Sequence, residues 1–170
     1  NKNYLNFSEK EKLNFLRLSI TSKFKKIGNF QFRNKENKEV WSTFKTISKE
    51  PPECLGAYVI SMTTSASDIL SVSFLQKEAE IKDKLRVVPL FETLDDLINA
   101  KSIMETLFSQ NWYRKLINYN QEVMIGYSDS SKDAGKICAN WHQYKAQEEI
   151  IKLAKKFKIK ITFFHGRGGS

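Results

Sequence analysis

From Ala57 onward the chain alternates short apolar runs with amphipathic helical stretches, and few architectures accommodate that rhythm. The runs are Ala57 to Met62, Arg86 to Phe91, Glu122 to Tyr127 and Ile159 to Phe164. They are near-continuously apolar, as strands buried on both faces are. Three helical patterns lie between them. The first runs from about Asp68 to Glu78 on Ile69, Leu70, Val72 and Leu75. The second opens on the capping sequence Thr93-Leu94-Asp95-Asp96 and carries Leu97, Ile98, Met104 and Phe108. The third holds Ile137, Cys138, Trp141, Tyr144, Ile151, Ala154 and Phe157. Strand, helix and strand three times over predict an α/β fold, a parallel sheet with right-handed crossovers.

The first part of the chain reads differently. Ser8-Glu9-Lys10-Glu11 fits a capping box, and Leu13, Leu16 and Ile20 follow it on one helical face. A polar stretch through Lys38 precedes a second helical pattern on Val40, Trp41, Phe44 and Ile47, which Pro51-Pro52 closes. Residues 1–52 are therefore expected to be a helical packaging segment without chemistry of its own, and residues 53–170 to carry the site.

A net charge of +9 raises the question of a nucleic-acid or membrane-surface partner. The lysines, however, are spread along the chain and interleaved with acids, as in Lys35-Glu36-Asn37-Lys38-Glu39. That pattern reads as a solvated surface, with no basic stripe for a nucleic acid. No apolar run is long enough to span a bilayer. Cys54 and Cys138 have no CxxC or histidine at metal-finger spacing and are expected to be reduced thiols in a cytosolic protein. The chain opens on Asn1 and closes on Ser170 in a Gly-rich stretch, and both ends are expected to be cut points in a longer protein.

In parallel α/β folds, chemistry collects at the carboxyl ends of the strands, where the loops converge. The four runs here end at Ser61-Met62, Glu92, Ser128-Asp129 and His165. A carboxylate at one such end is often only the next helix's cap. Two carboxylates, a histidine and an arginine on one rim are a larger coincidence. Glu92 and Asp129 suit a hard, oxygen-seeking ion, Mg²⁺ or Mn²⁺, and could alternatively be an acid/base couple. Lys132 could position an anion, move a proton, or be an exposed first-turn lysine. His165-Gly166-Arg167-Gly168-Gly169 could let backbone amides and a guanidinium grip a phosphate, or be a flexible loop. His142, beside Trp141 in the third helical pattern, reads as a packing or surface histidine.

These residues resemble a known family. VMIGYSDSSKDAG, from Val123 to Gly135, is similar to the phosphoenolpyruvate carboxylase signature at every position of the pattern. FFHGRGGS, from Phe163 to Ser170, resembles the start of that family's histidine-arginine glycine loop. AYVISMTTSASDIL (Ala57 to Leu70), VVPLFETLDDLINA (Val87 to Ala100) and NWYRKLI (Asn111 to Ile117) resemble blocks that the family carries in this order. A thirteen-residue match with a fixed lysine is highly specific.

The resemblance implies a partial (β/α) barrel of about four parallel strands with added helices, from a larger, mostly helical enzyme. It implies that Glu92 and Asp129 ligate Mg²⁺ or Mn²⁺ and that Arg167, with Gly168 and Gly169, binds the phosphate of the substrate. Lys132 matches the signature's active-site lysine, and His165 a histidine near the transferred groups. The implied reaction joins phosphoenolpyruvate and bicarbonate through carboxyphosphate and a metal-held enolate, giving oxaloacetate and phosphate. A cytoplasmic homotetramer is implied for the parent enzyme. The family's upstream histidine loop, the second Arg-Gly-Gly segment and the later phosphate-binding arginines are absent from the chain. The 170 residues alone are therefore expected to be inactive. A catalytically dead homologue serving as a regulatory or scaffold subunit is the alternative.

Overall fold

The computed structural model describes residues 3–22, 32, 34–127 and 135–166. Six helices and four strands are resolved among them: α1 (Glu9–Thr21), α2 (Lys35–Ile47), β1 (Ala57–Ile60), α3 (Ala66–Glu78), β2 (Arg86–Phe91), α4 (Leu94–Phe108), α5 (Asn111–Leu116), β3 (Asn120–Gly126), α6 (Lys136–Phe157) and β4 (Lys160–Gly166). They form two compact units, one of Asn1–Ala57 with Ser67–Leu85, the other of Tyr58–Ala66 with Arg86–Ser170.

In the first unit, α1 begins where the sequence predicts. The Ser8 N–H donates to Glu11 Oε2 at 2.8 Å and the Glu11 N–H donates to Ser8 Oγ at 3.3 Å, which closes the capping box. Two further clasps join α1 to α3. The Ser67 N–H and hydroxyl donate to the Glu9 carboxylate at 2.9 and 2.8 Å, placing an anion at the start of α3. At the other end, the Lys77 ammonium donates to the carbonyl of Ser19 and to that of Ser22, the latter at 2.7 Å. The two helices therefore run parallel, start beside start. Helix α3 is buried on nearly every side, with Ile69, Leu70, Val72 and Phe74 inside together with Ser67, Ser73, Gln76 and Glu78. A helix buried all round shows no single apolar face. Its polar members are bonded locally; Gln76, for example, accepts from the Leu85 N–H at 2.7 Å and donates to the Leu85 carbonyl at 3.1 Å. Asn34 caps α2 by accepting from the Asn37 N–H at 2.9 Å.

The second unit holds one four-stranded parallel sheet in the order β1-β2-β3-β4. Leu90 pairs with Met124 and Phe91 with Ile125 across β2 and β3. The β3–β4 register runs from Asn120↔Lys160 to Gly126↔Gly166. Sequential neighbours linked by helices match the expected parallel crossovers. Phe91, Val123 and Ile125 are fully buried, as are Ala100, Met104, Leu107 and Phe108 of α4. Strand β3 starts before the predicted Glu122, because Gln121 is buried rather than solvated. The Tyr113 hydroxyl donates to Gln121 Oε1 at 2.7 Å, and Gln121 Nε2 donates to the Val87 carbonyl at 3.1 Å. Burial pushes the Tyr113 phenol well above its usual range.

Helix α6 departs from the sequence expectation in the face it buries. Ile137, Trp141, Tyr144 and Ile151 are exposed, whereas Ala139, Gln143, Ala146, Ile150 and Leu153 are buried with Ala154. Alanines let α6 approach α4 closely, and Gln143 Nε2 reaches the Gly126 carbonyl at 3.1 Å. A periodicity read on large apolar side chains misses a face built from small ones. Cys54 and Cys138 are free thiols. Among the described residues no helix is long and apolar enough to cross a membrane.

Candidate active site

Parallel pairing brings the carboxyl ends of β2, β3 and β4 to one edge. Glu92 follows β2 directly. Its N–H donates to Asp96 Oδ2 at 3.2 Å, and the Thr93 N–H donates to the same oxygen at 3.1 Å. The Asp96 N–H in turn donates to Thr93 Oγ1 at 3.1 Å. The capping box of α4 thus fixes the Glu92 peptide as well as the helix start. Asp96, itself buried, is spent on those backbone donors.

On the other flank of Glu92 stands Gly126, the next position in register after the Phe91↔Ile125 pair. A Cβ added at Gly126 would lie 2.5 Å from Glu92 Cβ and 3.0 Å from Glu92 Cα. Gly166 is the following member of the row, opposite Gly126 on β4. The Glu92 stem therefore packs directly on the Gly126 backbone, and the terminal methyl of Met124 fills the equivalent space at Gly166.

His165 pairs in register with Ile125, so it belongs to the neighbouring row, with Phe91 and Ile125. One strand, β3, lies between it and Glu92, so two strand spacings, about 10 Å of sheet, separate them. Its imidazole is exposed and meets Tyr127, whose hydroxyl lies 2.7 Å from Nδ1 with the ring centroids 5.7 Å apart. His142 is half-buried within α6, one residue before the Gln143 that bonds the Gly126 carbonyl. Asp129, Lys132, Arg167, Gly168 and Gly169 lie outside the described residues. The structure thus places Glu92 and His165 at one strand edge, on adjacent rows whose side chains leave opposite faces of the sheet. Reasoning from sequence overlooked Gly126, Tyr127 and the second use of Asp96. A glycine inside a strand pattern signals close backbone approach and would have pointed to Gly126.

The phosphoenolpyruvate carboxylase family model matches residues 1–170. The chain belongs to the phosphoenolpyruvate carboxylase family. Phosphoenolpyruvate carboxylase 3 of Arabidopsis thaliana is 50% identical over 167 residues, covering 98% of this chain and 17% of that protein. A phosphoenolpyruvate carboxylase of Acinetobacter baylyi is 49% identical over 175 residues, covering 99% of this chain and 20% of its own length. The chain therefore spans about a fifth or less of the length of these carboxylases. Likeness at this level to a plant and to a bacterial phosphoenolpyruvate carboxylase extends well beyond the signature stretch.

Proposed function

We propose that this chain is a segment of the catalytic centre of a phosphoenolpyruvate carboxylase, which joins phosphoenolpyruvate and bicarbonate to give oxaloacetate and phosphate. The observation that carries the reading is the edge itself. In a chain of this family, a carboxylate whose stem packs on the Gly126 backbone stands at the same strand edge as an exposed histidine. The sequential strand order supports a partial barrel as the setting, since a barrel sheet is wound in one direction.

Glu92 offers a hard oxygen donor at the carboxyl edge of β2, which fits Mg²⁺ or Mn²⁺, and Asp129 would supply the second carboxylate. When bound, such an ion offsets negative charge developing on the enolate oxygen. Arg167, Gly168 and Gly169 would bind the phosphoryl oxygens, and Lys132 and His165 would hold or move protons around them. A bicarbonate oxygen bonds to phosphorus and the enolate of pyruvate leaves. Carboxyphosphate then splits into phosphate and carbon dioxide, and the enolate carbon attacks that carbon dioxide. The resemblance alone carries a cytoplasmic homotetramer for the parent protein. Against a nucleic-acid partner stands the pairing of surface lysines with acids: Lys101 with Glu149 at 2.7 Å, Lys152 with Glu148 at 3.1 Å, Lys156 with Glu105 at 3.2 Å.

The test is oxaloacetate formation by the full-length protein, coupled to malate dehydrogenase, with the metal titrated. Glu92→Gln and Asp129→Asn should each raise the metal concentration needed for half-maximal rate by roughly tenfold or more, since the site depends on few protein oxygens. An unchanged titration in Asp129→Asn would favour the acid/base couple. No turnover by the full-length parent would favour the dead homologue.

A further inference from the structure

We infer that Tyr127 is a positioning residue for His165: its hydroxyl donates to Nδ1, so that Nε2 carries the imidazole hydrogen and presents it as a donor. The inference rests on the carboxylase reading only for the reaction in which that donor serves. The contact itself is geometric.

Register explains why these two side chains meet. Ile125 is the partner of His165, and Tyr127 lies two residues further along the same chain. Positions two apart on an extended chain share a face, so Tyr127 is the diagonal neighbour of His165. Diagonal neighbours stand about 7–8 Å apart, a gap that a long aromatic side chain spans and a short one does not. The tyrosine does so here, with 2.7 Å between its oxygen and Nδ1, at the short end for a hydrogen bond to nitrogen.

The direction of the bond follows from the two groups. A phenol donates more readily than it accepts, and the bare nitrogen of neutral imidazole is the better acceptor of the pair. With Nδ1 accepting, the hydrogen must sit on Nε2. If the ring gains a second proton, the same phenol oxygen accepts from Nδ1 and the ring keeps its place. Nε2–H therefore persists in both charge states, as a group that binds an oxyanion of phosphate or carboxylate should.

The experiment compares wild type, Tyr127→Phe, His165→Gln and His165→Asn, and the double variant Tyr127→Phe/His165→Gln, all in the full-length protein. One readout needs no activity: the rate at which diethyl pyrocarbonate labels His165, followed by peptide mass spectrometry. With Nδ1 engaged and Nε2 protonated, neutral imidazole lacks a free lone pair. Tyr127→Phe should therefore raise the labelling rate several-fold. Carboxylation should fall about tenfold in kcat in Tyr127→Phe, with KM changed less. His165→Gln, whose amide N–H stands where Nε2–H does, should retain more kcat than His165→Asn. Adding Tyr127→Phe to His165→Gln should cost little more, because residues acting through one another are not additive. Unchanged labelling in Tyr127→Phe with its melting temperature preserved overturns the proposal, as does a fully additive double variant. If labelling rises as expected but wild type shows no carboxylation, the positioning stands and the carboxylase reading falls.

Discussion

Gly126 and Gly166 occupy successive places on one rim, yet they should respond differently to the same change. A methyl at Gly126 meets the Cβ and Cα of Glu92, neither of which can swing away. At Gly166 the nearest atom is the terminal methyl of Met124, at 2.5 Å, the far end of a flexible side chain. Gly126→Ala should destabilise the protein by about 1–3 kcal/mol through overpacking and should displace the Glu92 carboxylate. Gly166→Ala should cost less than about 1 kcal/mol, with Met124 taking another rotamer. Denaturant melts give the stabilities, and the metal titration of each variant reports Glu92. Equal losses would mean that the rim adjusts as a whole. A similar contrast separates two lysines. Lys136 is the exposed first residue of α6, and changing it should alter stability by less than roughly 0.5 kcal/mol and leave turnover alone. Lys132 holds the lysine position of the signature, and Lys132→Met should cost about 10²–10⁴-fold in kcat. Equal activities would make Lys132 a surface lysine.

Helices α4 and α6 are joined on their outer side by charge. Glu149 Oε2 takes the Lys101 ammonium at 2.7 Å across the pair, and Oε1 takes Lys152 at 3.1 Å along α6. The hydrogen bond from Lys101, and then that from Lys152, hold the Glu149 carboxyl at about 2. An unfolded glutamate titrates near ~4.3, so the folded chain binds this proton more weakly. The contribution is complete above the unfolded value and is lost as pH falls through the folded one. Glu149→Gln should lower the melting temperature modestly at neutral pH, and the gap to wild type should close between about pH 4 and pH 2. A gap independent of pH would assign the effect to packing. Most of these elements were readable in advance. Ser8 with Glu11 and Thr93 with Asp96 announced two helix starts, and the apolar run Arg86 to Phe91 is β2 residue for residue. The buried face of α6 was hidden because alanines and a glutamine, not large apolar side chains, form it. The meeting of Tyr127 with His165 was equally hidden, since it depends on the register of two strands separated by a long helix.

At the scale of the molecule, the sheet among the described residues has β1 at one end and β4 at the other, each with a strand neighbour on one side only. A barrel sheet has no ends. The isolated 170 residues should therefore give no measurable oxaloacetate in the coupled assay under conditions where the full-length protein turns over. Turnover by the isolated chain would show that the rim carrying Glu92 and His165 suffices. The pair α1 and α3 in the first unit obeys a different constraint. Helices α1 and α3 are both 13 residues long, and the same number of residues separates Glu9 from Ser19 as Ser67 from Lys77. Parallel helices bound at both ends act as matched rulers: each turn of one is measured against a turn of the other. A single residue inserted between Glu9 and Ser19 would lengthen α1 by ~1.5 Å and rotate all that follows by about 100°. The carboxylate and the ammonium would then no longer find their partners together, so α1 can change length only in step with α3.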